Sequence, residues 1–119
     1  MNHRVRPVTL GQVLVSIVIP AFNEAKYLPK TLEAAHKARA VLGQAGWASE
    51  VVVCDNNSTD GTASVARANG ARVVFEPFNQ IAASRNAAGR AARGDWLVFV
   101  DADTQVSPIL FREMMRAMA

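Results

Sequence analysis

Residues 13–21, VLVSIVIPA, and residues 49–55, SEVVVCD, are apolar, largely β-branched runs with almost no polar alternation. A strand with one face in water alternates apolar and polar residues. A run without that alternation suits a strand covered on both faces, as in a parallel sheet with helices above and below it. Two further runs, ARVVFE at 71–76 and GDWLVFV at 94–100, read the same way. Between the runs the pattern turns helical. Tyr27, Leu28, Leu32, Ala35, Val41 and Leu42 recur at helical spacing from Glu24 to Gly43, residues 62–69 form a second helix closed by Gly70, and residues 81–93 a third. Ser107 and Pro108 open a last helix that runs to the end. Strand and helix alternating four times predict an α/β domain with a mostly parallel sheet and flanking helices.

With 119 residues, half of them hydrophobic, the chain has enough apolar material for one core. Residues 13–119 are expected to form that domain, and residues 1–12 a loosely held arm. The 13 Lys plus Arg against 10 Asp plus Glu are scattered, which excludes a nucleic-acid platform. A single cysteine, Cys54, excludes an intramolecular disulfide and reads as a small core residue. Gln12 and Ser16 interrupt the only stretch resembling a signal peptide, and no segment is long and apolar enough for a membrane span. The expectation is a cytoplasmic domain.

Parallel sheets bind ligands beyond the carboxyl ends of their strands. There the polar residues gather: PAFNE after the first strand, DNNSTDG after the second, PFNQ after the third and DADT after the fourth. On an extended segment Asp101 and Asp103 would point the same way, roughly 6–7 Å apart, and repel each other unless a cation or donors lie between them. Carboxylates with Asn23, Glu24 and Asn56 nearby, and Arg85 as a permanent positive charge, suit a phosphate ligand carried with a hard divalent cation, Mg²⁺ or Mn²⁺. There is no thiolate cluster for a softer metal, and His3 and His36 stand isolated in the sequence. Some of these polar residues have structural readings: Glu24, Ser58 and Asp60 as helix caps, Asn56 as a turn former. DNNSTDGTASVA is not a calcium loop, because Asp60 and Ala66 stand where glycine and glutamate are required. P-loop and GxGxxG fingerprints are absent.

Taken in order, VSIVIPAFNE, EVVVCDNNSTDGT, SRNAAG and DWLVFVDADT resemble the family 2 glycosyltransferases of the A-type fold, over roughly residues 14–104. The resemblance implies the Rossmann-like nucleotide-binding half of such an enzyme. In it Pro20, Ala21 and Phe22 pack along the nucleobase and Glu24 lies near the ribose. Asp55 accepts a hydrogen bond from the base, with Asn56 beside it, and Arg85 approaches base or phosphates. Asp101 and Ala102 meet the ribose. Asp103, with Asp101, holds the metal that bridges the phosphates of a nucleoside-diphosphate sugar, UDP-sugar first and GDP-sugar second. The sugar passes, with inversion, to a hydroxyl of an acceptor glycan, lipid or protein. The acceptor half and the general base are expected beyond Ala119, so the catalytic base is unassigned.

Ile81 departs from the family pattern, standing where a glycine is common ahead of the arginine helix. Two other readings compete. A haloacid-dehalogenase-type phosphatase also has Asp-x-Asp after a strand, but Gln105 replaces its Thr or Val, and the motif comes late in the chain. A non-catalytic nucleotide-binding module is the other. Finally, Ile109, Leu110, Phe111, Met114, Met115 and Met118 give the last helix an apolar surface that a second copy, a partner or collapse onto the same sheet must cover. Self-association is therefore expected.

Overall fold

The computed structural model describes residues 12–118. Strands and helices alternate strictly: β1 (Leu14–Ala21), α1 (Leu28–Gln44), β2 (Ala48–Asp55), α2 (Thr62–Ala68), β3 (Arg72–Phe75), α3 (Ile81–Ala91), β4 (Trp96–Phe99) and α4 (Pro108–Met118). The strands form one sheet in the order β3-β2-β1-β4, every pair parallel. The chain steps outward from β1 to β3, then returns past β1 to lay β4 on its other side. Right-handed crossovers in opposite directions place the connecting helices on opposite faces. Val15, Ile17, Ile19, Val51 and Val53 accordingly share a core with Leu28 and Leu32 of α1, Ala66 of α2 and Phe111 of α4. On the other face Val18 and Cys54 pack against Ala88 of α3. Cys54 is the small core residue expected of it.

The reversal of direction also creates a switch point between β1 and β4, the place where a doubly wound sheet opens a crevice at its carboxyl edge. β1 and β2 are buried on both faces, as their unbroken apolar runs require. β4 is not. As an edge strand it leaves Trp96, Leu97 and Phe99 46%, 39% and 38% exposed, so the last apolar run is not the fully covered strand expected from its composition. It is held from behind instead. Asp95 Oδ2 accepts from Leu14 N at 2.9 Å, supplying a rung of the ladder from a side chain. Gly94 passes so close to Ser16 that a Cβ would lie 2.6 Å from Ser16 Oγ, and its N–H donates to that hydroxyl. Ser16 Oγ donates in turn to Glu50, which also takes Arg72 Nη2 at 2.9 Å and Arg93 N at 2.7 Å. Burial opposes the Glu50 charge, but these donors outweigh it and hold the carboxyl below its ordinary range.

α1 begins at Leu28 rather than Glu24, with Pro29 in its first turn. Glu24 O nevertheless accepts from Tyr27 N and Leu28 N, so the turn before the helix winds in the same direction. α4 collapses onto the core through Phe111, with Met114, Met115 and Met118 against it, while Ile109 and Leu110 stay exposed. The expected arm, residues 1–12, lies outside the described residues except for Gln12, whose amide donates to Gly46 O at 2.9 Å. No helix among the described residues is long and apolar enough to cross a membrane.

Candidate functional site

A cleft of about 860 Å³ opens at the switch point. That volume lies in the range of small-molecule sites. Of the residues singled out in the sequence, Pro20, Ala21, Phe22, Glu24, Asn56, Arg85, Asp101, Ala102 and Asp103 line it. Asp55 does not: it ends β2, one strand away on the side of β1 opposite β4.

The turn after β1 and the loop after β2 are laced together. Asn23, at φ 52°, accepts Thr59 N at 2.8 Å through Oδ1, and its own N–H donates to Ser58 Oγ. Glu24 N donates to Thr62 Oγ1 at 3.0 Å and Ala25 N to Asp60 Oδ2. Asp60 also accepts from the Thr62 hydroxyl and amide, and the hydroxyl foremost holds its carboxyl below the ordinary range. Asp60 is thus a structural acceptor, although the N-cap of α2 is Gly61 rather than Asp60, which stands one residue earlier and takes the N–H of the first helical residue. Asp55 Oδ1 takes Ser58 N at 3.0 Å, and its Oδ2 makes no hydrogen bond among the described residues. Asn56 ties this loop to the next one, donating to Glu76 O and Phe78 O and accepting Asn79 Nδ2 at 2.7 Å.

The far wall is built differently. Past β4, Val100 N still reaches Val18 O, but Thr104 N closes back on Asp101 O at 3.0 Å, so Asp101, Ala102 and Asp103 form a turn. The extended tip read from the sequence is replaced by this bend; Ala102 lies in the core, 5% exposed, and both aspartates are exposed on either side of it. Ala102 O accepts the Thr31 hydroxyl at 2.6 Å. The carboxylates of Asp101 and Asp103 have no hydrogen-bond or ion-pair partner among the described residues. Their charge is felt nearby: partial burial, then Asp103 and Asp60, push the Glu24 pKa above the usual carboxylate range. Also in the cleft, the Arg85 guanidinium stands 4.6 Å from the centre of the Phe99 ring, a cation–π contact that holds the charge over the edge strand without neutralising it.

Among the described residues no three His, Cys, Asp or Glu side chains converge into a ready-made metal cage. Unpartnered, hard oxygen donors at a cleft mouth fit Mg²⁺ or Mn²⁺ all the same, since such ions take one or two carboxylates and complete their shell with phosphate oxygens and water. Ile81, Phe99, Thr104 and Leu110 also line the cleft, though the sequence did not mark them as site residues. Ile81, 79% exposed, is marked only by its place where the family pattern has glycine; Leu110 is marked only as part of the apolar surface of the last helix.

The sequence profile of glycosyl transferase family 2 matches residues 16–119. The chain is 35% identical over 82 residues to an uncharacterised glycosyltransferase of Rickettsia bellii, covering 69% of this chain and 28% of that one. It is also 35% identical over 113 residues to chondroitin synthase of Escherichia coli, covering 90% and 16%. The crystal structure of glucosyl-3-phosphoglycerate synthase from Mycobacterium tuberculosis in complex with Mn²⁺, uridine diphosphate and glucosyl-3-phosphoglycerate superimposes with a TM-score of 0.72 at 26% identity, over 92% of this chain and 40% of that one. The chain thus spans less than a third of the length of the Rickettsia and Escherichia proteins and two fifths of the Mycobacterium one. Sheet order, cleft and sequence agree: the chain has the A-type glycosyltransferase fold and belongs to glycosyl transferase family 2.

Proposed function

We propose that the domain binds a nucleoside-diphosphate sugar together with Mg²⁺ or Mn²⁺ and presents it for inverting transfer to an acceptor hydroxyl of a glycan, lipid or protein. The observation that carries this is the pair of unpartnered carboxylates, Asp101 and Asp103, at a cleft that is also lined by an unneutralised Arg85. Phe22 and the Pro20–Ala21 backbone offer a flat apolar wall for the base. Asp55 lies outside the lining of the cleft but is the register partner of Ala21, and its unbonded Oδ2 is the acceptor for the N–H of a pyrimidine, while Glu24 with Asp101 faces the ribose. Asp103 with Asp101 takes the cation, and Arg85 faces the diphosphate or the base. When bound, the cation neutralises charge on the departing diphosphate. As the acceptor oxygen bonds to the anomeric carbon, the bond from that carbon to the diphosphate oxygen breaks and its electron pair leaves with the diphosphate. The acceptor proton goes to a base outside the residues assigned here. UDP is the first choice of nucleotide, supported by the Mycobacterium structure with UDP and Mn²⁺, and GDP the second. A cytoplasmic location and self-association through Ile109 and Leu110, the part of α4 left exposed, complete the reading.

The test is a thermal-shift series with UDP and GDP, each with Mn²⁺, with Mg²⁺ and with a chelator. A ligand at one hundred times its Kd stabilises by about 2.7 kcal/mol, and this gain is expected for UDP only with a divalent ion. Equal stabilisation in chelator, or none with any nucleotide, overturns the proposal.

A further inference from the structure

Thr31 sits where packing alone would not put it. It lies on the buried face of α1 between Leu28, Leu32 and Ala35, and is 1% exposed. A β-branched residue is a mediocre helix former, and a hydroxyl in an apolar layer costs free energy unless it is hydrogen-bonded. Valine has the same shape without that cost. The hydroxyl does have a partner: it donates to Ala102 O, seventy-one residues away, at 2.6 Å. The other acceptor in reach, Tyr27 O in its own helix, is at 3.1 Å. With one proton to give, the shorter contact is the one made. Ala102 O belongs to the residue between Asp101 and Asp103, and it is buried with the rest of Ala102.

Resting on the metal-site reading above, we infer that Thr31 is the positioning residue of the acidic turn. Its hydroxyl fixes the carbonyl between the two aspartates and so sets where both carboxylates stand. Without it the carbonyl is left without a partner in the core, and the turn rotates to find one. Residues that orient metal ligands from behind typically change metal affinity by about 10–100-fold when removed.

The experiment compares wild type, Thr31→Val and Thr31→Ser in the full chain. Three quantities are measured: the Mn²⁺ Kd at saturating UDP, from the electron paramagnetic resonance of free Mn²⁺; the UDP Kd in chelator; and the thermal midpoint without ligand. Thr31→Val is expected to weaken Mn²⁺ by at least about tenfold with the UDP Kd in chelator unmoved, and Thr31→Ser to restore wild-type Mn²⁺ affinity whatever its midpoint. An unchanged Mn²⁺ Kd in Thr31→Val, a serine variant as weak as the valine one, or a parallel loss of UDP affinity in chelator each overturns the inference. If Thr31→Val does not fold, Thr31→Cys takes its place; its thiol donates weakly, so Mn²⁺ affinity below that of Thr31→Ser supports the role and equal affinity overturns it. A wild type indifferent to Mn²⁺ overturns the metal site itself, whereas a Mn²⁺-dependent wild type with an indifferent Thr31→Val overturns only the role of Thr31.

Discussion

The loop after β2 and the loop after β4 are both rich in aspartate, and they use it in opposite ways. In DNNSTDG the acids turn inward: Asp55 holds Ser58 N, Asp60 holds Thr62 and Ala25, and Asn23 reaches over to hold Thr59. In DADT the backbone does the holding, through Thr104 N and Thr31 Oγ1, and the acids are left over. A carboxylate that satisfies N–H groups is structural material, whereas one with nothing to satisfy repels its neighbours until a cation arrives. Composition alone does not separate the two cases.

That contrast should break cleanly under mutation. The largest effect is expected from Asp103→Asn, which should abolish most of the Mn²⁺-dependent stabilisation by UDP, about 2–3 kcal/mol at ligand concentrations well above Kd, with the ligand-free midpoint unchanged or slightly raised. A midpoint that falls would mean this loop is structural too.

The converse substitution, Asn23→Ala, should lower ligand-free stability by about 2 kcal/mol, since it strands backbone donors and forces alanine to φ 52°. Chemical denaturation measures it, and an unchanged midpoint would show the lacing to be ornamental.

Asp55 belongs to both classes, with one oxygen on Ser58 N and one free. Asp55→Ala should weaken UDP by about 1–2 kcal/mol while leaving Mn²⁺ with pyrophosphate nearly unchanged in titration calorimetry. Equal weakening of both ligands would move Asp55 to the metal.

The smallest effect concerns Glu24. Burial, Asp103 and Asp60 raise its pKa in the folded state, so the fold binds this proton more tightly than the unfolded chain does. The associated stability is full at pH below the unfolded value and is lost as pH rises through the raised folded value. Glu24→Gln should therefore match wild type in acid and exceed it near neutrality, by less than about 1 kcal/mol because solvent screens so open a site. Denaturation midpoints at acidic and neutral pH that differ by the same amount would refute the repulsion.

Much of this was legible in the residues themselves. An unbroken VLVSIVIPA run has few destinations other than the middle of a parallel sheet, and four polar loops at four strand ends imply a shared edge. What the apolar run at Trp96 to Phe99 does not carry is its place in the sheet. An edge strand awaiting cover and a central strand already covered are written with the same letters. Likewise Asp-Ala-Asp reads as pleated until Thr104 N is seen to close on Asp101 O, in a turn whose middle carbonyl is held by Thr31 of α1, seventy-one residues away. Asp60 announced a structural role through its position just ahead of the helix at Thr62, though not the cap itself, which is Gly61, whereas Thr31 announced nothing, because its partner is a backbone carbonyl that any residue would supply.

The burial of Ala102 has a consequence for how the site fails. Most ligand-binding loops are drawn from the least stable parts of a fold and fray well before the whole unfolds. Here the hinge of the acidic turn is a methyl group in the same apolar cluster as Phe111 and Leu28. Heating should leave the geometry of the two acids intact until the interior itself gives way, so recognition and folding would be lost in one cooperative step rather than in sequence.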